Sequence, residues 1–229
     1  MPLRWRTRYE PFDVPVQDLI LRITGPEDLY EEARAVGMQF WEQIQSYSIR
    51  NPDFRISKRP IDSPEGAPEV VRRMITEAAV AGVGPMFTFQ GALTEEVGRR
   101  LAERLGDVIV SCGGDHFVVA HRRARLPVHP AGKHGSALAI VVKPELGPQG
   151  IHTTTGGDLP AGAAADGLVV VARSCILASA AATAASAILS KPDSLRMTLS
   201  YLQQMQGVHG AVVVRGERIG VAGNLELAA

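Results

Sequence analysis

A chain of 229 residues, 45% hydrophobic and 21% charged, has globular composition and enough length to bury a sizeable core. Lys plus Arg and Asp plus Glu number 24 each, so no net field draws it toward nucleic acid or an anionic membrane. Two cysteines without a CxxC spacing argue against a disulfide scaffold or thiolate metal site and point to a reducing cytoplasm, and the opening MPLRWRTRYEPFD lacks the apolar stretch of a signal peptide. The basic clusters Arg4 to Arg8 and His121 to Arg125 read as solvated surface. The longest apolar run, Gly167 to Leu189, contains Arg173 and is diluted by Ala and Ser, so it reads as a buried strand followed by a buried helix, and no membrane span is expected.

Asp18 to Thr24 (DLILRIT) is a short branched run stopped by Gly25-Pro26, as a strand would be. Between Glu27 and Tyr47, Leu29, Ala33, Val36, Phe40, Trp41 and Ile44 recur at three- and four-residue steps, which predicts a helix ended by Asn51-Pro52-Asp53. Arg55 to Pro68 reads as a loop. Two helical stretches follow, Pro68 to Val80 and Pro85 to Leu105, with Pro85 suited to a first turn because its missing N–H would lack a partner there. DVIVSCGGDHFVVAHR then predicts two strands meeting at Gly113-Gly114.

The second half repeats this order. ALAIVVK is a strand, GIHTTTGG a β-prone piece with a turn, and LVVVA another strand. The alanine-rich helix Ile176 to Leu189 and the helix Ser194 to Gln206 come next, and GAVVVRGERIGVAG closes as a hairpin. The expected fold is α+β: a duplicated module, 1–126 and 127–229, sharing one core, with helices packed on a mostly antiparallel sheet. The boundary is placed in the Pro- and Gly-bearing loop His121 to Ser136, and the seam between the modules is the expected cleft.

Among single residues, His116, His121, His129 and His134 invite a zinc reading, but no HExxH or Cys/His pattern organises them. Cys112 sits in an apolar strand, where burial would raise its pKa and quiet it as a nucleophile. The helix ILASAAATAASAIL buries little area per side chain, so close approach of another backbone or a ligand is its expected purpose.

The ordered set GVGPM, EEVGRRL, VIVSCGGDHFVV, TTTGG, ADGLVVVA and ASAAAT, with RYEPF, NPDF and APEVVRRM before it, resembles the uncharacterised bacterial and archaeal branch of proteins related to ApbE over nearly the whole chain. ApbE proper is a magnesium-dependent flavin transferase that moves FMN from FAD to a Thr or Ser of an acceptor protein, and its fold is similar to two fused T-fold-like modules. The resemblance implies that Gly84, Pro85, Gly113, Gly114 and Asp115 line a nucleotide cleft, where glycines let backbone N–H groups approach phosphate. It implies that Thr153, Thr154 and Thr155 offer hydroxyls to phosphate or flavin oxygens.

In the relatives an Asp and a Thr on the small-residue helix bind magnesium. This chain keeps Thr183 but has Ser179 at the aspartate position, so a metal would depend on the ligand's own phosphates. The histidine expected between the threonine turn and the next strand is absent from DLPAGAAAD. His152 is the candidate replacement base, and Asp158 and Asp166 are candidate sources of the missing charge. The implied function is binding of FAD, FMN or another nucleotide with altered metal chemistry. The alternatives are an active magnesium-dependent flavin transferase with an acceptor protein, and a non-catalytic partner-binding protein. The resemblance also implies a homodimer.

Overall fold

The computed structural model describes residues 3–4, 9–62, 65–129, 138–191 and 194–228. Along the chain these form β1 (Leu3–Arg4), β2 (Phe12–Val16), β3 (Leu19–Thr24), α1 (Tyr30–Arg50), α2 (Pro52–Ile56), α3 (Glu69–Ala81) and a 3-10 turn (Pro85–Thr88) that runs into α4 (Phe89–Leu105). Then come β4 (Val108–Cys112), β5 (Asp115–Val119), β6 (Ala124–Val128), β7 (Leu138–Val142), β8 (Gln149–Thr155) and β9 (Gly167–Ala172). The last elements are α5 (Cys175–Leu189), α6 (Leu195–Gln204), β10 (Val208–Arg215), β11 (Arg218–Gly223) and β12 (Leu227–Ala228).

Eight strands make one antiparallel sheet in the order β11-β10-β9-β8-β5-β4-β3-β2. Each half supplies two strands, then helices, then two strands, and the halves join where β5 pairs with β8. The fold is α+β with the duplicated order. The expected hairpin at Gly113-Gly114 forms with Cys112 opposite Asp115, and Gly113 takes a φ of 56°, which glycine adopts without strain.

Helices cover one face of the main sheet. Leu21, Ile23, Val108 and Val110 pack with Leu93, Val97 and Leu101 of α4, while Leu168, Val170, Ala211 and Val213 pack with α5. The alternate residues Val169, Val171, Val212 and Val214 face the other way, against Leu126, Val128, Ile140 and Val142. Those belong to a second sheet, β1-β6-β7-β12. LVVVA is therefore buried on both faces, which explains its unbroken apolar run.

Two elements depart from the expectations. Pro52–Ile56 is a short helix where a helix end at Asn51-Pro52-Asp53 and a loop from Arg55 were expected, with Phe54 buried edge-on against Tyr47, ring centroids 5.1 Å apart. The stretch His121 to Ser136, expected as a connecting loop, contains β6, which pairs with β7 on one side and β1 on the other. The division expected between 126 and 127 thus falls inside β6, while residues 130–137 of the same stretch lie outside the described residues. Pro127 reads as a breaker, yet β6 buries Ala124, Leu126 and Val128 in strict alternation.

The alanine-rich helix, α5, lies among α3, α4, α6 and the sheet, with most of its side chains buried. Its N-terminus is wedged between two glycines. A Cβ on Gly91 of α4 would stand 2.8 Å from the Cys175 carbonyl oxygen, and one on Gly150 of β8 would stand 2.1 Å from the Cys175 nitrogen. The small side chains serve close approach of neighbouring backbones.

Candidate functional site

At the junction of the two halves, Asp115 of β5 lies directly opposite His152 of β8 in the sheet register. Antiparallel pairing puts their side chains on one face, and His152 Nδ1 donates to Asp115 Oδ1 over 2.8 Å. Asp115 is only 1% exposed, and α5 meets it from the other side: the Ser179 hydroxyl donates to Oδ2 over 3.3 Å and the Cys175 thiol approaches Oδ1 at 3.8 Å. Residues from both halves thus converge on one buried carboxylate.

The His152 ring opens into a cleft of about 620 Å³. Its floor is the hairpin Gly113-Gly114 and the β8 threonines Thr153, Thr154 and Thr155, and its walls include Gln90 of α4, His116, Asp158 and the end of β6. Gly114 is glycine because β8 runs against it: a Cβ there would lie 2.2 Å from the Thr153 carbonyl oxygen, and the Gly114 carbonyl accepts from Thr153 N–H over 2.8 Å. Thr155 donates to Asp158 over 2.6 Å, whereas the buried Thr153 hydroxyl has no hydrogen-bond partner among the described residues. An orphaned buried hydroxyl is uncommon and costs free energy unless something supplies its partner.

Burial opposes charge on His152, but Asp115, through its charge and hydrogen bond, together with the charge of Asp158, outweighs it and leaves the pKa raised. His116 goes the other way. Burial, only partly countered by Asp115 and reinforced by His152, lowers it to about 4, and its Nδ1 pairs with the Ser111 hydroxyl over 2.8 Å. Burial and the Asp115 charge push the Cys112 thiol up to about 11, and burial, Asp115 and Glu95 raise Cys175 as well, so both thiols are quiet.

Of the residues expected in the site, Gly113, Gly114 and Thr153 to Thr155 line the cleft, and Asp115 stands behind His152. Gly84 and Pro85 are not among its lining residues. Gly84 lies against another loop, where a Cβ would meet the Ser57 carbonyl oxygen at 1.8 Å, so its glycine serves packing. Thr183 turns its hydroxyl back onto the Ser179 carbonyl of its own helix over 3.0 Å, and Asp166 accepts from Gly216 N–H over 2.5 Å, tying down the β10–β11 turn. His121 pairs with Asp107 over 2.9 Å, and His134 lies outside the described residues.

The donor set on α5 does not fit magnesium. That ion gives up water only for anionic oxygen ligands in close octahedral array, whereas Ser179 and Thr183 present hydroxyls already engaged within the protein. Among the described residues no group of three or more His, Cys, Asp or Glu side chains converges as metal ligands would. Hairpin glycines, threonine hydroxyls and a histidine border one cleft. Sequence reading missed Gln90, Pro127 and His129 as lining residues, because their approach depends on the placement of α4 and on the second sheet.

Residues 5–215 match the family described as AbpE bacteria, and the chain belongs to that family. It is 33% identical over 215 residues to the UPF0280 protein of Methanopyrus kandleri, spanning 90% of this chain and 86% of that one. It is 30% identical over 216 residues to the UPF0280 protein of Archaeoglobus fulgidus, spanning 91% and 89%. Among solved structures, the flavin transferase ApbE from Vibrio cholerae matches at a TM-score of 0.64 with 10% identity, over 93% of this chain and 96% of that chain. The apo flavinyl transferase ApbE of Pseudomonas stutzeri matches at 0.60 with 15% identity, over 93% of both chains. The duplicated α+β fold is thus the ApbE fold. No helix among the described residues is long and apolar enough to cross a membrane.

Proposed function

We propose that this chain binds a flavin or other nucleotide in the cleft where β5 meets β8. The observation that carries the reading is the cleft itself: a volume in the usual range of small-molecule sites, roughly 300 to 1,000 Å³, lined by the β4–β5 hairpin glycines, the β8 threonines and His152. The fold, shared with proteins described as flavin transferases, supports a flavin as the first candidate. Gly113 and Gly114 would bring backbone N–H groups to the ligand's phosphates, and Gln90 would offer an amide to the ring system. The bound flavin would supply the isoalloxazine and pyrophosphate chemistry, while this chain's residues bind, orient and shield it.

Thermal denaturation with FAD, FMN and adenine nucleotides, each with and without Mg²⁺, tests this reading. A ligand present at about a hundredfold excess over its Kd should raise Tm by roughly 5 to 10 °C. No shift with any of them would end the proposal. FMN transfer to an acceptor protein is the second reading, favoured by the fold and opposed by the donors at Ser179 and Thr183. AMP release from FAD in the presence of magnesium would mark it.

Ser179→Asp bears on the same point. It would set a second carboxylate beside Asp115 at a position only 3% exposed. In EDTA the variant should lose roughly 6 °C or more of Tm, as expected for an uncompensated buried charge. Magnesium should recover part of that loss in the variant and leave the Tm of the unliganded wild type unchanged.

A further inference from the structure

Resting on the nucleotide reading above, we infer that this cleft meets its ligand's phosphates with the imidazolium of His152, backed by Asp115, instead of with a divalent cation. Asp115 is the carboxylate that α5 meets at the junction of the two halves, and it is already committed, while Asp158, the carboxylate that lines the cleft, accepts from the Thr155 hydroxyl. One oxygen of Asp115 takes the Ser179 hydroxyl, the other takes His152 Nδ1 with the Cys175 thiol beside it, and Asp115 itself is not among the residues that line the cleft. With Nδ1 bound to Asp115, the other ring nitrogen, Nε2, has no protein partner among the described residues, and His152 lines the cleft with its side chain 20% exposed. An imidazolium donates from both nitrogens. Asp115 would hold the charge from behind while Nε2–H donates forward to an anionic oxygen, a charge-assisted bond of the stronger kind.

The surroundings agree with that assignment. The titratable groups around His152 are Asp115 and His116 on β5, Asp158 beyond β8, Cys175 on α5 and His129 at the end of β6. Asp115 and Asp158 favour the charged ring, while His116 is held neutral by burial and adds no competing positive charge near neutral pH. Cys175, raised by burial, remains a neutral thiol. A phosphate at Nε2 would raise His152 further, so affinity should be greatest below the His152 pKa and fall as pH rises through it.

The test is calorimetric titration of the full chain with FAD and with riboflavin, which lacks phosphate, in EDTA and in magnesium chloride. The wild type should bind FAD with the same affinity in both buffers. His152→Gln should weaken FAD binding by about tenfold or more, with little change for riboflavin. Imidazole ¹⁵N spectra of the wild type, which need no variant to fold, should show the His152 ring moving toward the doubly protonated form when FAD binds. FAD binding that requires magnesium would overturn the inference and leave the nucleotide reading standing. FAD affinity indifferent to His152→Gln, with ring protonation unmoved, would do the same. Failure of FAD, FMN and ADP to bind in either buffer would overturn the nucleotide reading and this inference with it.

Discussion

Replacing Glu95 with alanine is expected to cost about 3 to 5 kcal/mol of stability, because it strands two buried N–H groups at about 1 to 3 kcal/mol each. Glu95 sits on α4 with no exposed surface, and its carboxylate points at the start of α5. The first N–H groups of any helix lack intrahelical partners. Here Oε2 accepts from Cys175 N–H over 2.7 Å and from Ile176 N–H over 3.3 Å, while Ser174 caps Leu177 N–H over 3.0 Å. The negative charge also opposes the positive end of the helix dipole. On its other side, Oε1 accepts from Arg99 Nε over 2.8 Å and pairs with Arg73. Arg99 is 44% exposed, so solvent screening discounts its share, and most of the loss comes from the two stranded N–H groups. Urea denaturation of wild type, Glu95→Ala and Glu95→Gln checks this. The glutamine variant keeps an acceptor and should lose less. A loss below about 1 kcal/mol in the alanine variant, no more than one ordinary hydrogen bond is worth, would show that Glu95 does not anchor α5.

Gly150→Ala should be the most damaging single-methyl change in the main sheet. The added carbon would lie 2.1 Å from the Cys175 nitrogen, 2.2 Å from the Ser174 carbonyl carbon and 2.3 Å from the Cys175 Cα. These are backbone atoms, which cannot rotate aside as a side chain would, so either α5 lifts from β8 or β8 shifts against β5. Overpacking of this kind costs about 3 kcal/mol or more when no flexible group can yield. Moving β8 would also separate His152 from Asp115, since the two are register partners. The variant should therefore lose both Tm and nucleotide binding. Gly157→Ala is the control: its added carbon would meet nothing nearer than 4.0 Å, and its effect should stay within about 0.5 kcal/mol, as for an ordinary surface change. Equal Tm values for the two variants would refute the wedge described for α5.

The elements legible in the sequence are those whose signal is local. The amphipathic spacing of Leu29, Ala33, Val36 and Ile44 maps onto α1, and all four are buried. The Gly113-Gly114 turn, the unbroken run LVVVA and the closing hairpin around Gly216 lie where turn chemistry and apolar runs place them. The ordered motifs also carried the family, which the match over residues 5–215 bears out. The second sheet was not legible, because β6 carries Arg125 and Pro127, and its partners β1 and β7 come from separate parts of the chain.

The candidate site divides along the same line. Gly113, Gly114 and the three threonines were readable as groups suited to phosphate, and all of them border the cleft. Ser179 and Thr183 share one helix face, as their spacing requires, yet their hydroxyls turn to Asp115 and to the helix backbone. Helical period fixes which residues share a face. It says nothing of what that face meets.

By itself, then, the sequence determined the α+β character, the doubled order of strands and helices, the glycine hairpin and the small-residue helix, because each follows from spacing and composition within a short window. Only the tertiary structure decided that Asp115 meets His152, that Glu95 closes the start of α5, and that a second sheet covers the far face of the first. Those contacts join residues 37 and 80 positions apart, and they depend on strand register and helix docking, which arise from the packing of the whole core and from no local pattern.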